Sequence, residues 1–320
     1  YRLYRTLNME NVLQPMELSK FPSAISHTLR DAFSRCPTYA KFKYIKKLQP
    51  KEKTVDLVAG AAFSEGIKIS RRKFFQESAE ESFAISCGVE ALEKSYGDFQ
   101  PPLKSTKTKN RMVGALLYYF KKFPLEILTP ITYNKKLVID AGFYFDLPFK
   151  HPDTNEILQF VVKPDFLGVA DKKLYLIEEK TTGYLSELWF NQWKMDPQIS
   201  AYLYWIKYKT NLLSTGEFNS IEAQIRGIGI EKDKFSPTSI VILREDWQLE
   251  QWYEQTLRMI EDMLKAYKTG DWQIRERACF DYGRPCDFLN LCLSKNPKDL
   301  IEGNYEILHW SPLPENTGTA

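Results

Sequence analysis

The sequence predicts a mixed α/β fold: a central sheet flanked by helices, with a helical region before it and a short cysteine-bearing appendage after it. Three observations carry this. The first third reads with helical periodicity, the pattern turns to short alternating runs from about Leu125, and a long amphipathic helix follows the last of them. Composition agrees, with 320 residues of which 43% are hydrophobic, 14% aromatic and 27% charged. That is the profile of a globular chain with a sizeable core, and it excludes disordered, collagen-like and low-complexity classes. No apolar run approaches the roughly 18 to 20 residues of a membrane helix, so no membrane partner is expected. The opening YRLYRTLNME lacks both the apolar core of a secretory signal and an initiator Met, which leaves room for native residues ahead of it. Five cysteines, an odd number, argue against a secreted disulfide framework, so a cytoplasmic location is expected. The net charge of +3 neither demands nor excludes a nucleic-acid partner.

The elements follow in order. Ser23 can cap a helix through SAISHTLRDAFSR, which Pro37 ends. Helical regions cover about Val55 to Lys73 and Phe75 to Tyr96, and Pro101-Pro102 closes the block. KKLVIDAGFYFDLPF alternates apolar and polar residues, and ILQFVVKPDFLGVADKKLYLIEEKTT reads as two strands joined by a tight Asp171-Lys172 turn. Asp196 as cap and Pro197 as first residue open a helix with Ile199, Tyr202, Leu203 and Ile206 on one face. IEAQIRGIGIEK and PTSIVILRE are further strands. The long helix places Leu249, Trp252, Leu257, Ile260 and Leu264 at core spacing. The expected organisation is a helical region over 1–124, a core over 125–270, and a cysteine box with a polar tail over 271–320.

The chemistry concentrates in KPDFLGVADKKLYLIEEKTTG. Glu178 and Lys180 are two apart on a strand and so share a face, and Asp165 can meet them across the hairpin. Two converging carboxylates suit a hard divalent cation, Mg²⁺ or Mn²⁺, which polarises a phosphoryl oxygen and acidifies a bound water. A solvated surface pair is the plain alternative. The apolar run LYLI ahead of Glu178 marks the strand as buried, where charges need a partner or a metal. Downstream, Gln198 and Tyr202 are spaced i, i+4 on one helical face.

Pro164-Asp165, Glu178-Glu179-Lys180 and Gln198-Ile199-Ser200-Ala201-Tyr202 resemble, in order, the PD, (D/E)XK and Q-x-x-x-Y elements of the PD-(D/E)XK nuclease superfamily in its RecB-like branch. The resemblance implies a restriction-endonuclease-like fold. It also implies a metal held by Asp165, Glu178 and the backbone carbonyl of Glu179, with Lys180 assisting the attacking water and Gln198 and Tyr202 positioning DNA. The branch carries an upstream G-x-x-x-H whose His binds metal; Gly60-Ala61-Ala62-Phe63-Ser64 is the best match, so Ser64 stands in its place. Glu65 is rotated about 100° from that position on a helix. None of His27, His151 and His309 replaces the motif His; each is expected to be structural or solvated.

Cys279, Cys286 and Cys292 crowd near the C-terminus, and Cys36 precedes Pro37 at the other end. This arrangement resembles the iron–sulfur cysteines of the same branch, which implies a [4Fe-4S] cluster on these four thiolates, with structural zinc as the competitor. Such a cluster closes a very long loop. Cys87, within a helix, reads as a small buried hydrophobe.

Lys41, Lys43, Lys46 and Lys47 interleave with Tyr39, Phe42 and Tyr44, a pattern that suits phosphates and unpaired bases, and the stretch from Lys104 to Arg111 is a second basic candidate; an ordinary solvated face is the equal alternative for either. No helix-turn-helix or zinc finger is apparent, so base-specific readout is not expected. The leading expectation is a divalent-metal-dependent DNA nuclease, an exonuclease on single strands or duplex ends, in phage or bacterial DNA processing alongside recombination or replication proteins. The second is a non-catalytic DNA-binding adaptor on a nuclease scaffold, which Ser64 favours and the Asp165, Glu178 and Lys180 set opposes.

Overall fold

A computed structural model describes residues 20–281, 284–308 and 311. The opening YRLYRTLNME, His309 and most of the polar tail lie outside them. In chain order the protein forms helices α1 (His27–Arg35), α2 (Val55–Gln76), α3 (Glu81–Tyr96) and α4 (Lys109–Lys122), then strands β1 (Phe143–Lys150), β2 (Ile157–Val162), β3 (Phe166–Ala170) and β4 (Lys173–Thr182). Helices α5 (Glu187–Asn191) and α6 (Pro197–Tyr204), strands β5 (Ser220–Ile230) and β6 (Phe235–Ile242) and helix α7 (Asp246–Thr269) complete the main elements. The described residues fall into two compact units: one takes in those up to Glu52, Asp146–Phe160 and those from Thr256 onward, the other Lys53–Phe145 and Val161–Gln255.

The second unit is built on a five-stranded sheet in the order β6, β5, β4, β3 and the short strand Thr129–Pro130. Strands β3 and β4 form an antiparallel hairpin whose register pairs Phe166 with Ile177. Its turn residues Asp171 and Lys172 have φ of 48° and 58°, the left-handed pair that matches the twist of a two-residue hairpin. Strand β5 lies parallel to β4 after a crossover through α5 and α6, and β6 returns antiparallel. A hairpin extended by a parallel strand, with helices on the sheet, is the restriction-endonuclease-like α/β arrangement that the sequence predicts. Ala59, Phe63 and Ile67 of α2 pack with Met112, Leu116 and Tyr119 of α4 and with Ile228 and Ile230 of β5. That packing fixes α2 and α4 over one face of the sheet.

Several boundaries move for identifiable reasons. The run from Ile157 to Ala170 is two strands, because Lys163-Pro164-Asp165 interrupts it and Pro164 has no N–H to give to a ladder. Helices α2 and α3 are separated at Ser78, whose φ is 54°. In the first unit Ser26, not Ser23, caps α1 by accepting from the Leu29 N–H. Pro37 opens the next helical turn instead of merely ending the first. Within α7, Thr256 is fully buried and its hydroxyl accepts from Arg30 Nε at 2.9 Å.

The aromatic residues of the first basic stretch are core residues. Tyr39, Phe42 and Tyr44 are buried, and Tyr39 and Phe42 pack against Phe288. They are therefore closed to bases, contrary to the expectation. Two residues of the second stretch are committed internally: Lys107 is buried and donates to Asp56 at 2.8 Å, while Arg111 reaches the Glu231 carbonyl and lies over the Phe235 ring. No described helix is long and apolar enough to cross a membrane.

Candidate active site

The predicted carboxylates and lysine meet on one side of the β3–β4 hairpin. Asp165 sits in the bend just before β3, and Glu178 and Lys180 project together from β4. The Glu179 backbone N–H donates to Asp165 Oδ2 at 2.8 Å, which draws the Asp165 carboxyl to the strand. Lys180 Nζ donates to Glu178 Oε1 at 2.6 Å. Helix α6 supplies the rest. Asp196 Oδ1 accepts from the N–H groups of Gln198 and Ile199, and Pro197 is the first helical residue, so the predicted cap forms as read.

Gln198 and Tyr202 then order the cluster. The Gln198 amide donates to Glu178 Oε1 at 2.6 Å and to the Tyr202 hydroxyl at 2.9 Å, and its oxygen accepts from Lys180 Nζ at 3.2 Å. The Tyr202 hydroxyl donates to the Lys163 carbonyl at 2.8 Å. Both N–H bonds of the amide and one lone pair of its oxygen are thus used, which sets the orientation of the side chain. Glu178 is 3% exposed, and its second oxygen, Oε2, is buried without a hydrogen-bond partner. A carboxylate oxygen left in that state is costly unless it meets a proton or a ligand.

Burial is the largest influence on each group. It raises the Asp165 carboxyl well above the usual range, and the charges of Glu178 and Glu179 push the same way against Lys180. Burial also raises Glu178, while Lys180 and the Gln198 amide draw it back. Desolvation alone lowers Lys180, but the charges of Glu178 and Asp165 outweigh it and keep the ammonium protonated.

Glu179 points to the opposite face, as strand alternation requires. Its carboxylate accepts from Arg71 of α2 at 2.6 Å and from the Tyr119 hydroxyl of α4 at 3.0 Å, and Arg226 stands beside it in the β4–β5 pairing. Burial raises this carboxyl, yet Arg71 and Arg226 and the two hydrogen bonds hold it below its ordinary value. Arg71 also stacks over the Phe166 ring.

The expected Mg²⁺ or Mn²⁺ site is not formed. Among the described residues no group of three or more His, Cys, Asp and Glu stands together so as to hold a metal ion. Asp165 and Glu178 are only two, one oxygen of Glu178 is shared by Lys180 and Gln198, and the Glu179 side chain faces away. Nor does α2 add a ligand: Ser64 is exposed, and Glu65 pairs with Lys68.

The same finding overturns the iron–sulfur resemblance and the zinc alternative: Cys36, Cys279, Cys286 and Cys292 are free thiols that form no metal-holding group among the described residues. The Cys286 N–H donates to the Cys279 carbonyl, and the Cys292 thiol is pushed up to about 11, first by burial and then by the neighbouring cysteines. His151 is buried, with Nδ1 accepting from the Asp153 and Thr154 N–H groups, a turn-forming role.

Sequence reading missed Arg71, Tyr119 and Arg226, which lie 108, 60 and 47 residues from Glu179 in the chain and carry no motif. Strand alternation was the available signal, since it sets Glu179 apart from Glu178. Lys163 was missed too: its Nζ pairs with Asp140 at 2.7 Å, and the Asp140 N–H donates to the Asp165 carbonyl, so that pair braces the bend.

No protein-family model matches the chain, and no curated protein matches it. Solved structures are similar in shape. A "Putative exonuclease" from Eubacterium rectale is 11% identical with a TM-score of 0.46, over 90% of this chain and 98% of that one. LHK-Exo, solved in complex with dAMP, is 12% identical with a TM-score of 0.23, over 64% of this chain and 95% of that one. At these values the functional reading stands on this chain's own residues.

Proposed function

We propose that the chain is a nuclease that hydrolyses phosphodiesters of DNA at the Asp165, Glu178 and Lys180 cluster. One observation carries the reading: two buried carboxyls with raised affinity for protons and one ammonium converge at the end of the β3–β4 hairpin, ordered by Gln198. Two neighbouring buried carboxyls that resist ionising together divide acid and base work between them. Glu178 accepts the proton of an attacking water. The water oxygen forms the new P–O bond as the bond to the leaving oxygen breaks. Asp165, whose Oδ2 is occupied by the Glu179 N–H, keeps its proton on Oδ1 and gives it to that leaving oxygen. Lys180 neutralises charge growing on the phosphoryl oxygens.

The test is strand shortening of end-labelled single-stranded and duplex DNA. Wild type shortens the label, and Lys180→Ala slows this about a hundredfold or more while its circular dichroism is unchanged. Lys180→Ala cutting at the wild-type rate overturns the assignment. A second reading, a DNA-binding adaptor on the same scaffold, is favoured by the closure of Lys180 on Glu178 and by the lack of a third metal-ligating group among the described residues. It expects the same substrates to be bound and left uncut.

A further inference from the structure

We propose that the helical run Glu187–Met195 is a seat for the unpaired bases of a single DNA strand entering the Asp165, Glu178 and Lys180 cluster. The inference rests on the reading of that cluster as a DNA-processing site, and it names the form of DNA the site takes.

The run lies between β4, which carries Glu178 and Lys180, and α6, which carries Gln198 and Tyr202, and its Trp193 meets Lys180. It is anchored to the sheet through two glycines of β5. The Trp189 ring lies against Gly227, where a Cβ would come within 2.3 Å of it, and Leu185 lies against Gly229, where a Cβ would come within 3.0 Å. Gly227 and Gly229 pair with Lys180 and Thr182 of β4. Trp189 is buried, Trp193 packs 5.7 Å from it, and Lys180 Nζ lies 5.7 Å from the centre of the Trp193 ring. The side of the run that carries Trp189 and Trp193 therefore belongs to the unit's interior and touches the catalytic lysine.

The other side is exposed, with the Gln192 amide spending one N–H on the Trp189 carbonyl. Helix α5 continues as a 3₁₀ turn over Gln192–Met195, so Leu188, Asn191, Gln192 and Met195 recur at i, i+3, i+4 and i+7. All four are exposed, Leu188 at 67% and Met195 at 70%, and Tyr184 just ahead of the run is exposed at 66%. Apolar side chains held open on an anchored element, with two amides between them, suit a ligand that is flat, apolar on its faces and polar at its edges. Nucleobases are that ligand, and they offer those faces only when unpaired. Lys194 is exposed on the same run and can meet a phosphate.

Fluorescence anisotropy on the full chain separates the possibilities, with a labelled phosphorothioate oligothymidylate, which resists cleavage, and a blunt duplex of equal length. Tyr184→Ala and the double variant Leu188→Ala/Met195→Ala each weaken oligothymidylate binding about fivefold or more and leave duplex binding unchanged. Phe83→Ala, which removes an exposed ring from α3, changes neither. Single-strand affinity unaltered in both run variants overturns the inference while leaving the cluster's reading intact, and it assigns the surface to an occupant other than DNA. Equal loss on both substrates also overturns it, since that pattern belongs to phosphate contacts or misfolding. Wild type that binds neither substrate removes the DNA reading itself, and the inference with it.

Discussion

At the scale of single residues, β4 places neighbouring carboxylates in opposite electrostatic roles. Glu178 and Asp165 are raised by burial, whereas Glu179 is held below its ordinary value by Arg71 and Arg226. The first pair sets the expected pH response of cleavage. With Glu178 as base and Asp165 as acid, the rate rises with pH as Glu178 loses its proton and falls as Asp165 loses the one it donates, so a pH–rate profile is bell-shaped. A rate that climbs monotonically with pH removes Asp165 from the acid role. Glu179 acts on stability with the opposite sign. Its depressed value contributes stability that is present above the ordinary carboxylate range and is lost as pH falls through its folded value. Because Arg71 and Glu179 are 6% and 4% exposed, Arg71→Ala removes the ion-pair partner of a buried carboxylate, leaving it the Tyr119 hydroxyl and the Arg226 charge, and should cost up to about 3–5 kcal/mol in denaturant unfolding.

At the scale of elements, the hairpin and its crossover explain what the sequence made legible. The Asp171-Lys172 turn, the Asp196 cap and the Gln198 and Tyr202 face were readable because each depends on residues a few positions apart. The interruption at Pro164 was readable in principle, since proline cannot serve a strand interior, but the apolar residues on both sides concealed it. The brace on Glu179 was not readable, because Arg71 and Tyr119 reach it only through the packing of α2 and α4 on the sheet. Nor were the roles of Gly227 and Gly229: glycine in a strand signals a close approach without naming what approaches. Gly227→Ala places a Cβ against the Trp189 ring, and the displaced ring should cost about 1–3 kcal/mol, read as a lower unfolding midpoint. An unchanged midpoint means that the ring yields without strain.

At the scale of the whole molecule, the two units differ in how far residue order and type foretell position. In the first, residues that look like a nucleic-acid surface around Lys41 are core aromatics under lysines, because alternation of aromatic and basic residues also suits a half-buried helix whose lysine stems cover rings. The four cysteines near both ends of the chain read as a metal centre by order and type, and order and type do not bring them into a ligand group. In the second unit the order of motifs does predict position, since Asp165, Glu178, Lys180, Gln198 and Tyr202 meet in one hydrogen-bonded set. The five residues lie within 38 positions of one another on consecutive elements of a single sheet and its crossover, whereas the cysteines, drawn from both ends of the chain, come near enough for Cys36, Cys279 and Cys286 to raise the Cys292 thiol and still form no metal-holding group among the described residues.

The central claim is that this set carries out phosphodiester hydrolysis, with Glu178 taking the proton from water. Single-turnover cleavage of an end-labelled DNA strand by wild type and by Glu178→Gln tests it most directly, because glutamine keeps the shape of the side chain and removes its basicity. The account predicts clear cleavage by wild type and a loss of about 10²–10⁴-fold in the variant, with the unfolding midpoint no lower than that of wild type. Equal single-turnover rates for the two proteins would contradict it.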